Sequence, residues 1–251
     1  MELSLTFIAL FAAAISGAVL VTILEHANKQ TIIKMLLAFS GGFLLSMAFI
    51  HFLPDLYKEE AVSNIGLYIL LGFLVQLFLE YFSGGIEHGH VHSHHHGKIP
   101  WAIFIALGIH SFIEGIPLAA PFIHNELAHA HLHAHEHHHH VGNSLLMGIL
   151  FHQVPVSIAL MTLLVSSHIK KSIVWLLMIG FALTTPLGLL AGLFSQSLVE
   201  ALNFDIILAI VVGMFLHIST TIIFETSENH KVNTLKLVSI IAGFAIAILA
   251  F

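Results

Sequence analysis

The chain has 251 residues, of which 57% are hydrophobic and only 9% charged, with a mean hydropathy of +0.95 and a formal charge of -6. Soluble domains carry about a quarter charged residues, so water is not the main solvent of this chain. It contains no cysteine and no arginine; this excludes a disulfide scaffold, thiolate metal sites, cysteine nucleophiles and guanidinium-based recognition of nucleic acid.

Met1 and Glu2 precede an apolar run to Leu24 with no basic leader, which reads as a retained first span rather than a cleaved signal. Crossing a hydrocarbon layer of roughly 30 Å takes about 20 apolar residues. Eight such runs occur, near 3–24, 32–53, 65–82, 99–121, 142–165, 172–194, 204–224 and 235–251, the third and eighth being short. An open strand leaves backbone groups unpaired in lipid, so the predicted fold class is all-α, a polytopic transmembrane bundle of eight spans. No connection is long enough to bury a core of its own, which makes residues 1–251 a single transmembrane domain.

Lysine placement orients the bundle. Lys29, Lys34, Lys98, Lys170, Lys171, Lys231 and Lys236 fall in or beside connections 1–2, 3–4, 5–6 and 7–8, whereas Lys58 stands alone on the opposite face. The bias predicts that both termini lie on the outer side of a cell (inner or plasma) membrane and that the loop at 83–98 is cytoplasmic.

Two connections, 3–4 and 4–5, are histidine tracts. EHGHVHSHHHGK at 87–98 holds six histidines and HNELAHAHLHAHEHHHH at 124–140 holds nine, the second on the outer side. Neutral imidazoles in such tracts are weak, multi-site ligands for borderline divalent metals, suited to capture or sensing rather than to a rigid site.

Ionisable groups at membrane depth cost several kcal/mol unless they meet a partner or a cavity, so each is a candidate for function. In span 4, IPWAIFIALGIHSFIEGIPLAAPF, His110 and Glu114 are four apart and share one helix face, followed by Gly115 and Pro117. His110 lies roughly 15 Å into the span at 1.5 Å per residue, near its middle. Span 5 places His152 at similar depth from the opposite side, with Gln153 adjacent and Pro155 after it. Two imidazoles and a carboxylate suit zinc and related divalent ions. Span 7 adds His217, followed by Ser219, Thr220 and Thr221, with Glu225 at its cytoplasmic end. In span 2, His51 and Asp55 flank Pro54 at the outer boundary, as in an entrance site that strips water from a cation. Gln76 and Glu80 share a face of span 3.

HSFIEG in span 4 and HQVPVS in span 5, with GGFLLSMAFIHFLPD in span 2 and the histidine tract after span 3, resemble the ZIP metal-ion transporters over nearly the whole chain. The resemblance implies an inner bundle of spans 2, 4, 5 and 7 around the route of a transported Zn2+, Fe2+, Mn2+ or Cd2+. It also implies passage into the cytoplasm and no catalysis. Carried over residue by residue, it makes His110, Ser111 and Glu114 on span 4 and His152 and Gln153 on span 5 the metal ligands. Where the family places a glutamate after the span-5 proline this chain has Val156, which favours one metal per protomer over two.

Two other readings compete. A cation-diffusion-type exporter also pairs membrane histidine with aspartate, and His51 with Asp55 suits it, but that class has six spans and a cytoplasmic metal-binding domain. An intramembrane zinc hydrolase gathers its ligands near one face, whereas here they run from His51 through His110 to Glu225. The partners expected are a divalent metal ion and the lipid bilayer, with no nucleic acid; a homodimer is left open.

Overall fold

Lipid offers the backbone no hydrogen bonds, and the chain answers with helices throughout: among the described residues there is no strand. The computed structural model describes residues 2–23, 29–58, 63–83, 99–123, 136–195, 203–225 and 234–250. The helices are α1 (Leu3–Ile23), α2 (Lys29–Met47), α3 (Ile65–Ser83), α4 (Trp101–Gly115), α5 (Glu136–Ser166), α6 (Lys171–Phe194), α7 (Phe204–Glu225) and α8 (Thr234–Ala250). The first seven are long and apolar enough to cross a membrane, and α8, at 17 residues, stands at the lower limit of about 17–25. This is a multi-pass membrane architecture.

Two helices change pitch next to their polar residues. A π turn over Ala48–Phe52 extends α2 and contains His51, after which Leu53–Lys58 resumes α-helix with Pro54 in its first turn. Such turns concentrate at functional positions because the wider pitch re-aims side chains. A 3₁₀ turn over Ile116–Ala119 extends α4, with Pro117 in its first turn. Pro155 and Pro186, by contrast, sit inside α5 and α6 without ending them. Some helices also outrun the apolar stretches that announced them: α2 and its extension reach Lys58, and α5 begins at Glu136, within the second histidine tract. Hydropathy marks where lipid ends, whereas a helix can continue into water. Asn64, His168 and Asn203 take left-handed φ values of 66°, 54° and 60° just before α3, α6 and α7, and so reverse the chain between spans.

The most extensive packing joins α2 with α8, α3 with α7, α1 with α5 and α4 with α6. Contacts of α1 with α6 and of α2 with α7 then assemble two groups, one of α1, α4, α5 and α6 and the other of α2, α3, α7 and α8. The groups meet where α2 packs on α5 and α3 on α4. Helices associate in lipid by close backbone approach rather than by a hydrophobic drive, and glycines permit it. A Cβ on Gly72 would overlap the carbonyl of Ile210 and one on Gly213 that of Ile69, and the same reciprocal contact joins Gly42 to Ile240 and Gly243 to Phe39. Lys236, near the start of α8, donates to the carbonyl oxygen of Ile223 at 2.7 Å, satisfying an acceptor in the last turn of α7.

Buried apolar side chains form two clusters. One contains Phe43, Leu118, Ile149 and Phe215, and the other Leu37, Leu107, Val156 and Ile218. Along α2, α4, α5 and α7 alike, a polar residue comes between the two: Ser40, then His110 with Glu114, then His152, then His217. The bundle therefore holds one polar layer between two apolar ones. Leu67, Phe78, Tyr81, Val238 and Leu249 are exposed on α3 and α8, on faces that lipid solvates.

Candidate metal centre

The i, i+4 spacing on α4 does what helix geometry dictates and stacks His110 and Glu114 on one face, with Glu114 Oε1 2.7 Å from His110 Nε2. From α5, His152 brings its own Nε2 to 3.4 Å from His110 Nε2. His110 and Glu114 are each 1% exposed and His152 2%. Among the described residues these three form the one group whose metal-ligating atoms converge, all lying within 4.8 Å of one another.

Their spacing carries chemical information. A tetrahedral zinc with bonds of about 2.0–2.1 Å sets its ligand atoms about 3.4 Å apart. The two ring nitrogens already stand at that distance. The carboxylate oxygen, at 2.7 Å, would have to withdraw by roughly 0.7 Å to take the third corner. Although close, Glu114 Oε1 is not aligned for a hydrogen bond with any described residue. A buried oxygen held against a ring nitrogen with no aligned donor is an electrostatically costly arrangement unless a cation joins it.

The outer nitrogens of both rings are also engaged. Gln76 Oε1 on α3 accepts from His110 Nδ1 at 2.9 Å, and Ser40 Oγ on α2 lies 3.3 Å from His152 Nδ1. A proton on His110 Nδ1 would leave Nε2 free to bind a cation on the side of Glu114 and His152.

Gln153 is buried beside His152, but its carboxamide oxygen accepts from Thr185 Oγ1 of α6 at 3.1 Å, and its nitrogen has no hydrogen-bond partner among the described residues. Ligation through Gln153 would use the oxygen's second lone pair or release Thr185. Ser111 is buried at 3% exposure. His217 is not part of the convergent group. Its Nδ1 faces Glu80 Oε2 of α3 at 3.2 Å, and its ring packs edge-on against Phe73 at a centroid distance of 4.6 Å. Ser219, Thr220 and Thr221 return their hydroxyls to the carbonyls of Leu216 and His217 on their own helix, as ordinary helix-packing hydroxyls do. His51 is half-buried in the π turn, while Asp55 pairs with Lys58 at 2.9 Å. Val156 lies in an apolar cluster. The side chain of Glu225, the tract at 87–98 and the side chains of 124–140 lie outside the described residues.

Asp55→Asn checks the entrance reading separately. The pair with Lys58 is solvent-exposed and contributes less than about 1 kcal/mol, so folding should be unaffected. An entrance carboxylate predicts that its loss slows passage of a divalent cation by no more than about three-fold, and less so at high salt, as befits a charge that only attracts the ion.

Sequence inspection missed Ser40 and Thr185, and it noted Gln76 without assigning it to His110. The available signal was polarity alone, since each is an uncharged polar residue within an apolar span, and all three are fully buried.

A comparison with curated proteins finds no match for this chain. A family model does match, that of the ZIP zinc transporters, over residues 3–100 and 87–250 and therefore across nearly every helix described above. With seven helices able to cross a membrane and a buried His–Glu–His cluster of metal-binding chemistry, the chain belongs to the ZIP zinc transporter family.

Proposed function

We propose that this protein carries zinc, or a closely related divalent ion, across the cell membrane into the cytoplasm. The observation that supports this reading most is the convergence of His110, Glu114 and His152, from two helices, in a polar layer enclosed by apolar ones. Two neutral nitrogens and one carboxylate bind a divalent cation with partial charge compensation, which suits capture followed by release. A metal ion enters near His51 and Asp55, exchanges its waters for the three ligands, and leaves towards Glu225 and the histidine tract at 87–98. Only Glu114 brings a carboxylate to the cluster, and Val156 packs among apolar side chains; both favour one metal per protomer. Access alternates as helices that change pitch beside the site, α2 and α4, move against their neighbours.

Direction is tested with right-side-out and inside-out membrane vesicles containing the protein and a trapped zinc-sensitive dye. Import predicts zinc entry into right-side-out vesicles from the outer face. Accumulation confined to inside-out vesicles would support an exporter. Absence of flux in both, with turnover of a lipid amide or ester, would support a hydrolase.

A further inference from the structure

The three converging ligands all belong to one helix group, on α4 and α5, whereas both side chains bonded to the outer nitrogens of their rings belong to the other, on α2 and α3. We propose that Gln76 is a positioning residue for the metal site, holding His110 from across the group boundary in the one tautomer that can bind a metal through Nε2. The inference rests on the metal-transport reading of the same cluster.

The chemistry of the two contacts differs, and the difference assigns the roles. The carboxamide oxygen of Gln76 only accepts, so the 2.9 Å contact selects a proton on His110 Nδ1 against the pull of the Glu114 carboxylate 2.7 Å from Nε2, and a cation seated between Nε2 and the carboxylate completes that choice. A hydroxyl both donates and accepts, so Ser40 tolerates either tautomer of His152. When Ser40 donates to His152 Nδ1, the His152 proton sits on Nε2, which faces His110 Nε2 across 3.4 Å. On metal binding the His152 proton must leave Nε2. One proton lost there and one gained at Nδ1 completes a tautomer change with no net release, and Ser40 then accepts. Gln76 is therefore the fixed partner and Ser40 the adaptable one.

The location of the fixed partner matters. Gln76 is fully buried, 0% exposed, on a helix whose approach to α7 is set by the Gly72 and Gly213 contacts one to two turns along. A shift of the two groups that stretched the 2.9 Å contact beyond about 3.5 Å would release the His110 ring and allow its proton onto Nε2. The ligand set is complete in the docked arrangement and impaired when the groups separate, so the ion is held firmly in one arrangement and loosely in the other.

The test uses the full-length protein with 15N-labelled histidine, reading the His110 tautomer as the spectral difference between wild type and His110→Ala. Zinc affinity at the His110-dependent site is measured by competition with a chelator. Gln76→Leu keeps the approximate volume but removes the acceptor, and Gln76→Glu keeps an acceptor. The expected result is Nδ1-protonated His110 in wild type and in Gln76→Glu, and a mixed or Nε2-protonated ring in Gln76→Leu. Zinc binding should weaken by about 10–100-fold in Gln76→Leu and be retained or tightened in Gln76→Glu, as for outer-shell partners of metal-bound histidines. Wild-type tautomer and affinity in Gln76→Leu would overturn the proposal. So would an equal loss of affinity in both variants with the tautomer unchanged, since that marks a merely structural role. If Gln76→Leu fails to fold, Gln76→Glu decides alone, and loss of the Nδ1-protonated ring there overturns the assignment. Zinc binding by wild type that is indifferent to His110→Ala would instead refute the metal-transport reading, while the tautomer spectra still judge Gln76.

Discussion

Glu114→Ala is expected to lower zinc affinity by at least about 100-fold, the upper figure for losing even an outer-shell partner of a metal ligand. Glu114 supplies the one negative charge of the convergent group, at 1% exposure and 2.7 Å from His110 Nε2. Without it, a divalent ion would enter an apolar surround with two neutral nitrogens and no compensating charge, a large desolvation penalty. The effect is readable as ligand-induced stabilisation. Zinc at 100 times the wild-type Kd stabilises the native protein by about 2.7 kcal/mol, whereas a Kd raised 100-fold leaves about 0.4 kcal/mol at the same concentration. The metal-free protein behaves in the opposite sense. Glu114 Oε1 has no aligned donor among the described residues, so Glu114→Gln, which removes the charge but keeps the shape, should leave thermal stability without zinc unchanged or higher. A melt with and without zinc checks both halves, and undiminished zinc stabilisation in Glu114→Ala would contradict the assignment.

The second large effect concerns the scaffold. Gly213→Leu should cost more than the ~1–3 kcal/mol of ordinary overpacking, because the obstruction is backbone rather than a side chain that can turn away. A Cβ at Gly213 already overlaps the Ile69 carbonyl and comes within 2.8 Å of the Phe73 nitrogen. The helices must then separate, and α3 takes Gln76 away from His110 and Glu80 away from His217 as it moves. Stability and zinc affinity should therefore fall together. Gly108→Ala is the matched control, since its Cβ would meet only a Thr184 methyl at 3.7 Å. There the helix-favouring alanine should be neutral or stabilise by up to about 1 kcal/mol. Thermal melting in detergent separates the two, and a Gly213→Leu protein as stable as the control would contradict the close-packed α3–α7 contact.

Much of the site was legible in one dimension. The spacing of His110 and Glu114 puts both on one helix face whatever the fold, and depth arithmetic brings His152 level with them because spans 4 and 5 run antiparallel. What was not legible is helix rotation. These spans are apolar all round, so periodicity does not say which side faces a neighbour. His217 was accordingly expected near the central cluster and instead turns to Glu80. The partners of the two rings were hidden for a related reason, since Gln76 is 34 residues from His110 and Ser40 is 112 from His152. The π turn at His51 left no trace beyond Pro54, and it alters the helical spacing from which His51 and Asp55 were paired. The hydroxyls after His217 illustrate an ordinary competition, in which a serine or threonine within a span bonds its own helix carbonyls when no partner is near.

The proposed function passes one ion at a time through His110, Glu114 and His152. The most direct measurement is zinc entry into liposomes containing the purified protein, followed with a trapped dye for wild type, His110→Ala and Glu114→Ala side by side. Zinc entry is expected with wild type, and a signal at the level of empty liposomes with either variant. Wild-type rates in both variants would contradict this route.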